Sequence, residues 1–187
     1  MVFQLKENLR SANMPDLSLY KQTVDLYLSI APARSRDPLA AIHEHLDSMV
    51  LSKMPRINGI LLAYDNVRFL EKSAKIMYDS PFSYCWIRVD VLVFSPKKGD
   101  RLEGKINLVS PSHIGLLVLG IFNASIPRKS IPSSWTFIEP DTTEEQGRWK
   151  TNDKQTVEPG QSLEFQVDGL QREAGLTMVQ GTLIEKS

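Results

Sequence analysis

Cysteine is nearly absent from this sequence, since Cys85 is the one cysteine among 187 residues. A single thiol cannot form an intramolecular disulfide, and it cannot supply the several thiolates of a cysteine-rich zinc site. The composition therefore predicts an intracellular protein in which Cys85 is a small buried hydrophobe.

Long apolar runs are also absent. No stretch approaches the roughly 20 apolar residues that a membrane span needs. Near the N-terminus, Lys6, Glu7 and Arg10 interrupt the region where a signal peptide would carry its apolar core. We therefore predict no membrane partner.

An excess of one charge is lacking too, because 22 basic residues balance 22 acidic ones. Residues 1–90 carry 11 basic and 10 acidic side chains, and residues 91–187 carry 11 and 12. Neither half is a basic domain, so the whole chain has no strong attraction to nucleic acid. Any contact with RNA must be local and modest.

The constellations that catalysis requires are missing. His43 and His45 lie two positions apart on a predicted helix, so they point about 200° apart and cannot share a metal ion. His113 lies in a turn, where a structural hydrogen bond is its expected role. The adjacent Glu144 and Glu145 lie in a predicted polar loop, where we expect both side chains to be exposed to solvent. No glycine-rich phosphate loop occurs, and we predict no catalytic residue, no metal ligand and no cofactor.

The clearest strand pattern lies between residues 99 and 137. Polar residues alternate there with an apolar or small set, which is Leu102, Gly104, Ile106 and Leu108. This period of two is typical of a half-buried strand. A turn at 110–113, an apolar run at 114–119 and later strands near 163–167 and 176–184 are compatible with a small β-barrel. A polar loop is expected at about 139–155, and residues 147–150 are a candidate strand edge within it.

The first half of the chain predicts a strand, then a helix, then several strands. Residues 1–20 lack a sustained period and predict an extended arm, with a disordered terminus as the alternative. Residues 23–30 alternate as a strand, and a helix follows with Asp37 as its N-cap and Pro38 at its first position. Residues 57–64 predict a second strand, residues 65–66 a tight turn, and residues 87–93 a β-branched strand.

The domain junction is expected at Ser95-Pro96-Lys97-Lys98-Gly99. This division gives an N-terminal arm at 1–20, a first domain at 21–95 and a barrel domain at 96–187. The predicted fold class is α+β.

Three segments carry a family resemblance: SPSHIGLLV at 110–118, FNASI at 122–126 and IPSSWTF at 131–137. With them, the chain resembles the larger stalk subunit of DNA-directed RNA polymerase I. That family includes the seventh subunit of RNA polymerase II and the corresponding stalk subunits of RNA polymerase III and of archaeal RNA polymerase. The resemblance covers roughly residues 17–184. It implies an N-terminal tip domain, an antiparallel sheet covered by one helix, followed by a five-stranded OB barrel.

The resemblance also implies a function. It predicts a non-catalytic subunit in the nucleus and nucleolus that supports initiation of rRNA transcription. Its partners would be a smaller stalk subunit in a heterodimer, the polymerase core subunits and the RNA polymerase I initiation factor. The emerging transcript would pass along the barrel.

Two groups of docking residues follow from the resemblance. Contact with the polymerase core is expected at Tyr64, Asp65, Asn66, Val67, Arg68 and Phe69. Contact with the smaller stalk subunit is expected at Phe3, Leu5, Leu9, Trp86, Arg88, Asp90 and Leu92.

Basic residues of the second half, with one tryptophan, are the candidates for contact with RNA. They are Lys97, Lys98, Arg101, Lys105, Arg128, Lys129, Arg148, Trp149 and Lys150. OB barrels bind single strands by combining a basic groove with aromatic rings that stack on bases. Phe122 and Trp135 are expected in the core, which leaves Trp149 for stacking and predicts weak, sequence-tolerant contact with single-stranded RNA. The alternative is a free-standing OB-type RNA-binding protein of RNA processing or translation, which charge neutrality disfavours.

Overall fold

The computed structural model describes residues 5–14, 18–54, 57, 59–140, 147–153, 155–173 and 176–183. Residues 5–14, 172, 173, 176 and 177 are described by their backbone alone. The chain divides into two compact units, Met1–Ser95 and Pro96–Ser187. No helix among the described residues has the length and apolar character that crossing a membrane requires.

The N-terminal unit is an antiparallel sheet with one α-helix. Its elements are β1 (Leu5–Met14), β2 (Leu19–Ile30), α1 (Pro38–Asp47), β3 (Lys53–Met54), β4 (Gly59–Phe69), β5 (Lys75–Ile76) and β6 (Ser83–Phe94). The strands lie in the order β1-β2-β6-β4-β3, and β5 also pairs with β6. The central strand β6 therefore has a partner on each side.

The helix begins as the sequence predicts. The Asp37 carboxylate accepts a hydrogen bond from the Ala40 amide at 3.1 Å, and Pro38 occupies the first helical position. Ile42 and Leu46 are buried on its inner side. They join a core formed by the inward residues of the strands, namely Val24, Leu26, Leu28, Ile30, Leu61, Cys85, Ile87, Val89, Val91 and Val93. The predicted burial of Cys85 is confirmed.

Part of the extended arm predicted at 1–20 is a strand of the sheet. Leu5–Met14 forms β1 and pairs antiparallel with β2, with an irregularity between Asn8 and Ala12. Such a strand gains its hydrogen bonds from its neighbour, so local periodicity gives it little signal.

The C-terminal unit contains a closed barrel. Its chain order is β7 (Arg101–Val109), β8 (His113–Val118), β9 (Phe122–Pro127), β10 (Thr136–Ile138), β11 (Arg148–Lys150), β12 (Thr156–Val157), β13 (Ser162–Glu173) and β14 (Leu176–Thr182). The five barrel strands lie in the order β13-β14-β9-β8-β7, and pairing of β13 with β7 closes the ring. The predicted α+β class with a five-stranded OB barrel is confirmed.

One residue of β7 departs from the predicted alternation. Leu102, Gly104 and Ile106 are buried, but Leu108 is 42% exposed and Val109 takes the buried position instead. An irregularity in the pairing with β8 lies between Ile106 and Leu108. A β-bulge inserts one extra residue, which moves the following side chain to the other face.

Within the predicted polar loop at 139–155, the candidate strand edge at 147–150 is confirmed as β11. Strands β10, β11 and β12 form a three-stranded antiparallel sheet, and Trp149 of β11 is 1% exposed. The Glu144 and Glu145 pair lies outside the described residues.

Candidate docking surfaces and RNA interface

The outer face of the N-terminal sheet, opposite α1, carries a buried ion pair. Asp25 on β2 lies directly across from Arg88 on β6. The guanidinium donates from Nε to Oδ1 at 2.7 Å and from Nη2 to Oδ2 at 2.9 Å. The Asp25 side chain is 3% exposed and the Arg88 side chain 39% exposed. The Arg88 side chain therefore compensates the buried charge of Asp25, although part of it reaches solvent.

Asp90 lies next along the same face in a second polar group. Its carboxylate accepts from the Thr23 hydroxyl at 2.6 Å and from the Asn66 amide at 2.9 Å. These two hydrogen bonds hold the pKa of Asp90 below its usual value. Arg68 in turn donates to the Asn66 side-chain oxygen at 2.7 Å. The group joins β2, β6 and β4 across the face.

Aromatic rings flank the polar groups towards the start of β6. Tyr27 stacks on Tyr84 with ring centres 5.6 Å apart, and it lies 5.0 Å from the Trp86 ring. The predicted stalk-partner residues Trp86, Arg88, Asp90 and Leu92 thus share one half-buried row on β6. Phe3 lies outside the described residues, and the side chains of Leu5 and Leu9 are not described.

The predicted core-docking residues 64–69 do not form a separate turn. They belong to β4, where a bulge between Asp65 and Arg68 interrupts the pairing with β6, and Asn66 adopts a positive φ of 59°. The expected tight turn is therefore a bulge inside a strand. Tyr64 and Val67 pack against the core, whereas Phe69 is 41% exposed.

Tyr64 also belongs to a polar group with α1. Its hydroxyl donates to the Asp47 carboxylate and lies 3.1 Å from the Nδ1 atom of His43. Burial, followed by the hydrogen bond and the negative charge of Asp47, raises the pKa of Tyr64 to about 12. Tyr64 therefore fastens the strand to the helix.

A cluster of exposed apolar side chains lies just beyond these residues, at the end of the sheet where β6 begins. We name it the distal apolar patch, formed by Phe69, Leu70, Ile76, Met77, Tyr78 and Phe82. Tyr78 is 97% exposed with a positive φ of 55°, and Ile76 is 70% exposed. The Leu70 amide donates to the Trp86 carbonyl and Ile76 pairs with Ser83, which places the patch beside β6. The signal in the sequence was the density of apolar residues between turn residues at 69–82.

The barrel separates the predicted RNA contacts into groups. Lys98 pairs with Asp168 at 2.8 Å, and the pKa of Asp168 is lowered by this bond and by the charges of Lys98 and Lys129. Arg101 and Lys105 lie on the outward face of β7, opposite Gln166 and Ser162 of β13. Lys97 is exposed and precedes them.

The second group lies at the turn that follows β9. The Arg128 guanidinium lies 4.8 Å from the centre of the Trp149 ring. Trp149 in turn donates from Nε1 to the Ser110 carbonyl at 3.2 Å and meets the Phe137 ring edge-on at 5.2 Å. Because Trp149 is buried, its ring is not available to stack on a base, contrary to the prediction from the sequence.

A third group lies on the opposite face of β11. Arg148 and Lys150 flank Trp149 and therefore point to the other side of the strand. Arg148 pairs with Glu158 at 3.4 Å, and Lys150 is exposed. Phe122 and Trp135 were both predicted to lie in the core. Phe122 is buried, whereas Trp135 is only half-buried.

Comparison with known proteins decides the family. A family model described as the RPA43 OB domain in RNA Pol I matches residues 96–184. The chain is 85% identical over 170 residues to the DNA-directed RNA polymerase I subunit rpa43 of Schizosaccharomyces pombe, covering 91% of this chain and 98% of that protein. The chain belongs to the RPA43 family. The predicted identity as a stalk subunit of RNA polymerase I is thereby confirmed.

Other RPA43 relatives are more distant and longer. The mouse (Mus musculus) DNA-directed RNA polymerase I subunit RPA43 is 32% identical over 158 residues, which cover 84% of this chain and 43% of that protein. The probable RPA43 subunit of Dictyostelium discoideum is 39% identical over 114 residues, which cover 61% of this chain and 32% of that protein. The chain therefore spans less than half of these two RPA43 proteins and nearly all of the fission-yeast one.

The RPA43 family match encloses all five barrel strands, from β7 to β14. Elsewhere in the described part of the chain, no three His, Cys, Asp or Glu side chains are grouped so that they could hold a metal ion. His113 lies with its Nδ1 atom 3.1 Å from the Ser110 hydroxyl and 2.9 Å from the Ser112 hydroxyl.

Proposed function

We propose that this chain is a non-catalytic stalk subunit that attaches to the RNA polymerase I core through the distal apolar patch. The observation that carries the proposal is the concentration of exposed apolar side chains at 69–82, six within 14 residues. Contiguous exposed apolar patches are uncommon on monomeric proteins and mark sites of protein contact.

The position of the patch supports docking by the end of the sheet. β6 runs from Ser83 beside the patch to Phe94, after which the chain leaves the N-terminal unit. Twelve strand residues span about 36 Å at about 3.3 Å per residue. The patch therefore lies at the far end of the unit from the connection to the barrel. The predicted contacts at 64–69 border it, with Phe69 shared between the two sets.

The smaller stalk subunit is proposed to bind the outer face of the N-terminal sheet. Half-buried aromatic rings at Tyr27, Tyr84 and Trp86 lie beside the ion pair of Asp25 and Arg88 on this face. Aromatic residues and arginine are enriched at the energetic centres of protein interfaces. The Tyr27, Tyr84 and Trp86 rings are half-buried, so part of each ring reaches solvent.

The barrel is proposed to contact the emerging transcript and to support recruitment of the initiation factor, with the protein in the nucleus and its nucleolus. Membership of the RPA43 family supports these roles. The exposed cations of β7 and of the turn after β9 supply the charge for contact with RNA.

The docking proposal is tested by affinity purification of the tagged chain from its own cells. The double variant Ile76→Ser/Tyr78→Ser changes two exposed side chains, and the matched control Leu51→Ser/Leu170→Ser changes two apolar side chains that are 52% and 51% exposed elsewhere. We expect the first variant to keep its melting temperature and its small partner but to lose most of the core subunits. The control should recover core subunits as the unmodified chain does.

Two outcomes contradict the proposal. Equal recovery of core subunits by both variants would remove the patch from the docking surface. Recovery of RNA and processing factors without polymerase, by the unmodified chain, would favour the free-standing RNA-binding alternative.

A further inference from the structure

The turn after β9 holds one arginine in a fixed position. The Arg128 amide donates to the Ser112 carbonyl at 2.8 Å, and the Ile131 amide donates to the Arg128 carbonyl at 3.2 Å. The guanidinium donates from Nη1 to the Ile131 carbonyl at 3.4 Å. Backbone and side chain are thus both restrained, although the residue is exposed.

The ring beneath Arg128 explains its orientation. The Trp149 indole is anchored at its nitrogen by the Ser110 carbonyl and at its edge by Phe137, and it is 1% exposed. A guanidinium over an indole face gains cation–π attraction. Trp149 therefore acts as a platform that directs the arginine outwards.

Arg128 keeps most of its hydrogen-bonding capacity for a ligand. Within the described part of the chain, it forms no ion pair with a carboxylate. Asp168, whose carboxylate lies close enough to feel the charge of Lys129, is paired with Lys98 at 2.8 Å. A guanidinium has five N–H donors in a planar fork that matches two oxygens of a phosphate.

The neighbouring groups suit an anion. Lys129 adjoins Arg128 on the exposed turn, and the hydroxyls of Ser110 and Ser112 lie in the facing turn, hydrogen-bonded to His113. Arg101 and Lys105 add exposed cations along β7, where the exposed Glu103 lies between them and opposite Glu164 of β13. A single strand that follows a barrel meets cations spaced along a groove. This spread of charge favours a polymer of phosphates over one isolated phosphate group.

We propose that Arg128 binds a backbone phosphate of single-stranded RNA and that Trp149 is its positioning residue. The proposal rests on the proposed contact between the barrel and RNA, and it replaces base stacking by Trp149. No base recognition is required, so binding should be tolerant of sequence.

The experiment titrates the full chain into a fluorescent single-stranded uridine oligonucleotide and follows anisotropy at several salt concentrations. We expect Arg128→Gln to weaken binding by about threefold to tenfold and to reduce the slope of log K against log salt by about 0.7, the value for one phosphate. Arg36→Gln is the matched control, because Arg36 is an exposed arginine of the N-terminal unit. It should leave both the affinity and the slope unchanged.

Coupling tests the positioning role of Trp149. Arg128→Lys keeps the charge but cannot lie flat on the ring, so it should restore the salt slope while binding more weakly than the unmodified chain. In a Trp149→Leu background, Arg128→Gln should have a smaller effect than in the unmodified chain. If Arg128→Gln weakened RNA binding equally in both backgrounds, the positioning role of Trp149 would be contradicted. If Trp149→Leu does not fold, the same comparison is made in a Trp149→Phe background, which keeps a ring but weakens the cation–π contact.

The failures are distinguishable. RNA binding that Arg128→Gln leaves unchanged would overturn the assignment of Arg128 while the RNA contact stands. Absence of RNA binding by the unmodified chain would overturn both, and docking through the distal apolar patch would be unaffected. Binding of a phosphoserine peptide that depends on Arg128, without RNA binding, would assign the site to a phosphoprotein and overturn the RNA proposal.

Discussion

Asp25 is almost fully buried although it lies on the sheet face opposite the helix. An ionised carboxylate out of water is costly unless a partner and hydrogen bonds compensate it. Arg88 supplies both through two parallel bonds of 2.7 Å and 2.9 Å. The pair therefore matters for the fold even where its arginine also borders a proposed interface.

Replacing Arg88 with Met should lower the free energy of unfolding by about 2–3 kcal/mol, because it leaves the Asp25 carboxylate buried without its partner. Urea denaturation measures the change. The double variant Asp25→Leu/Arg88→Met should recover much of the loss, since an apolar pair needs no compensation. An unchanged urea midpoint in Arg88→Met would contradict this account of the pair.

Tyr64 predicts a dependence on alkaline pH. The folded state raises the pKa of its hydroxyl from 10.0 to about 12, so it holds the proton more tightly than the unfolded chain does. The stability from this group is complete below pH 10 and is lost as the pH rises through about 12. Tyr64→Phe should lower the free energy of unfolding by about 1 kcal/mol at pH 7. The difference in stability between the two proteins should shrink as the pH rises from 10 to 12. Denaturation of both proteins across that range is the measurement, and a constant difference would refute the assignment.

Individual residues also show how far the sequence predicts the candidate sites. The cations of the barrel and the row from Trp86 to Leu92 were identifiable from residue type and strand period. The burial of Trp149 was not, because its burial depends on Ser110, Arg128 and Phe137, which are distant along the chain. A tryptophan between two cations reads locally as an exposed stacking ring.

Strands with a strict period were predictable, and irregular ones were not. The β-branched alternation of β6 and the capped start of α1 appear where the sequence places them. The bulges at 65–68 in β4 and at 106–108 in β7 arise from register with a neighbouring strand. Register is a property of the pair, so neither strand alone contains it. For the same reason, the sequence alone does not predict β1 as a strand.

Close packing inside the barrel gives a prediction about two glycines of β14 and β13. A Cβ atom at Gly181 would lie 2.3 Å from Cδ2 of the buried Phe165 ring, whereas a Cβ at Gly169 would meet nothing within 4 Å. Gly181→Ala should therefore destabilise the barrel by about 1–3 kcal/mol through overpacking. Gly169→Ala is the matched control and should be neutral or slightly stabilising. Thermal unfolding of both variants tests this, and equal melting temperatures would contradict it.

The chain combines two compact units with a net charge near zero. The N-terminal unit has its own core cluster, which runs from Val24 to Val93 and contains no barrel residue. The barrel has its own buried set, with Leu102, Ile114 and Phe165 among the most buried. Damage to one core should therefore leave the other core packed.

Val91→Asp tests this independence. Val91 is 1% exposed at the centre of β6, so the substitution buries a charge without a partner and should unfold the N-terminal unit. Hydrogen exchange followed by mass spectrometry should show loss of amide protection in β2, β4 and β6 but retained protection in β7, β8 and β13. Val109→Asp is the reciprocal variant, because Val109 is 4% exposed in the barrel and should give the opposite pattern. Loss of protection throughout the chain in both variants would show that the two cores fold as one cooperative unit.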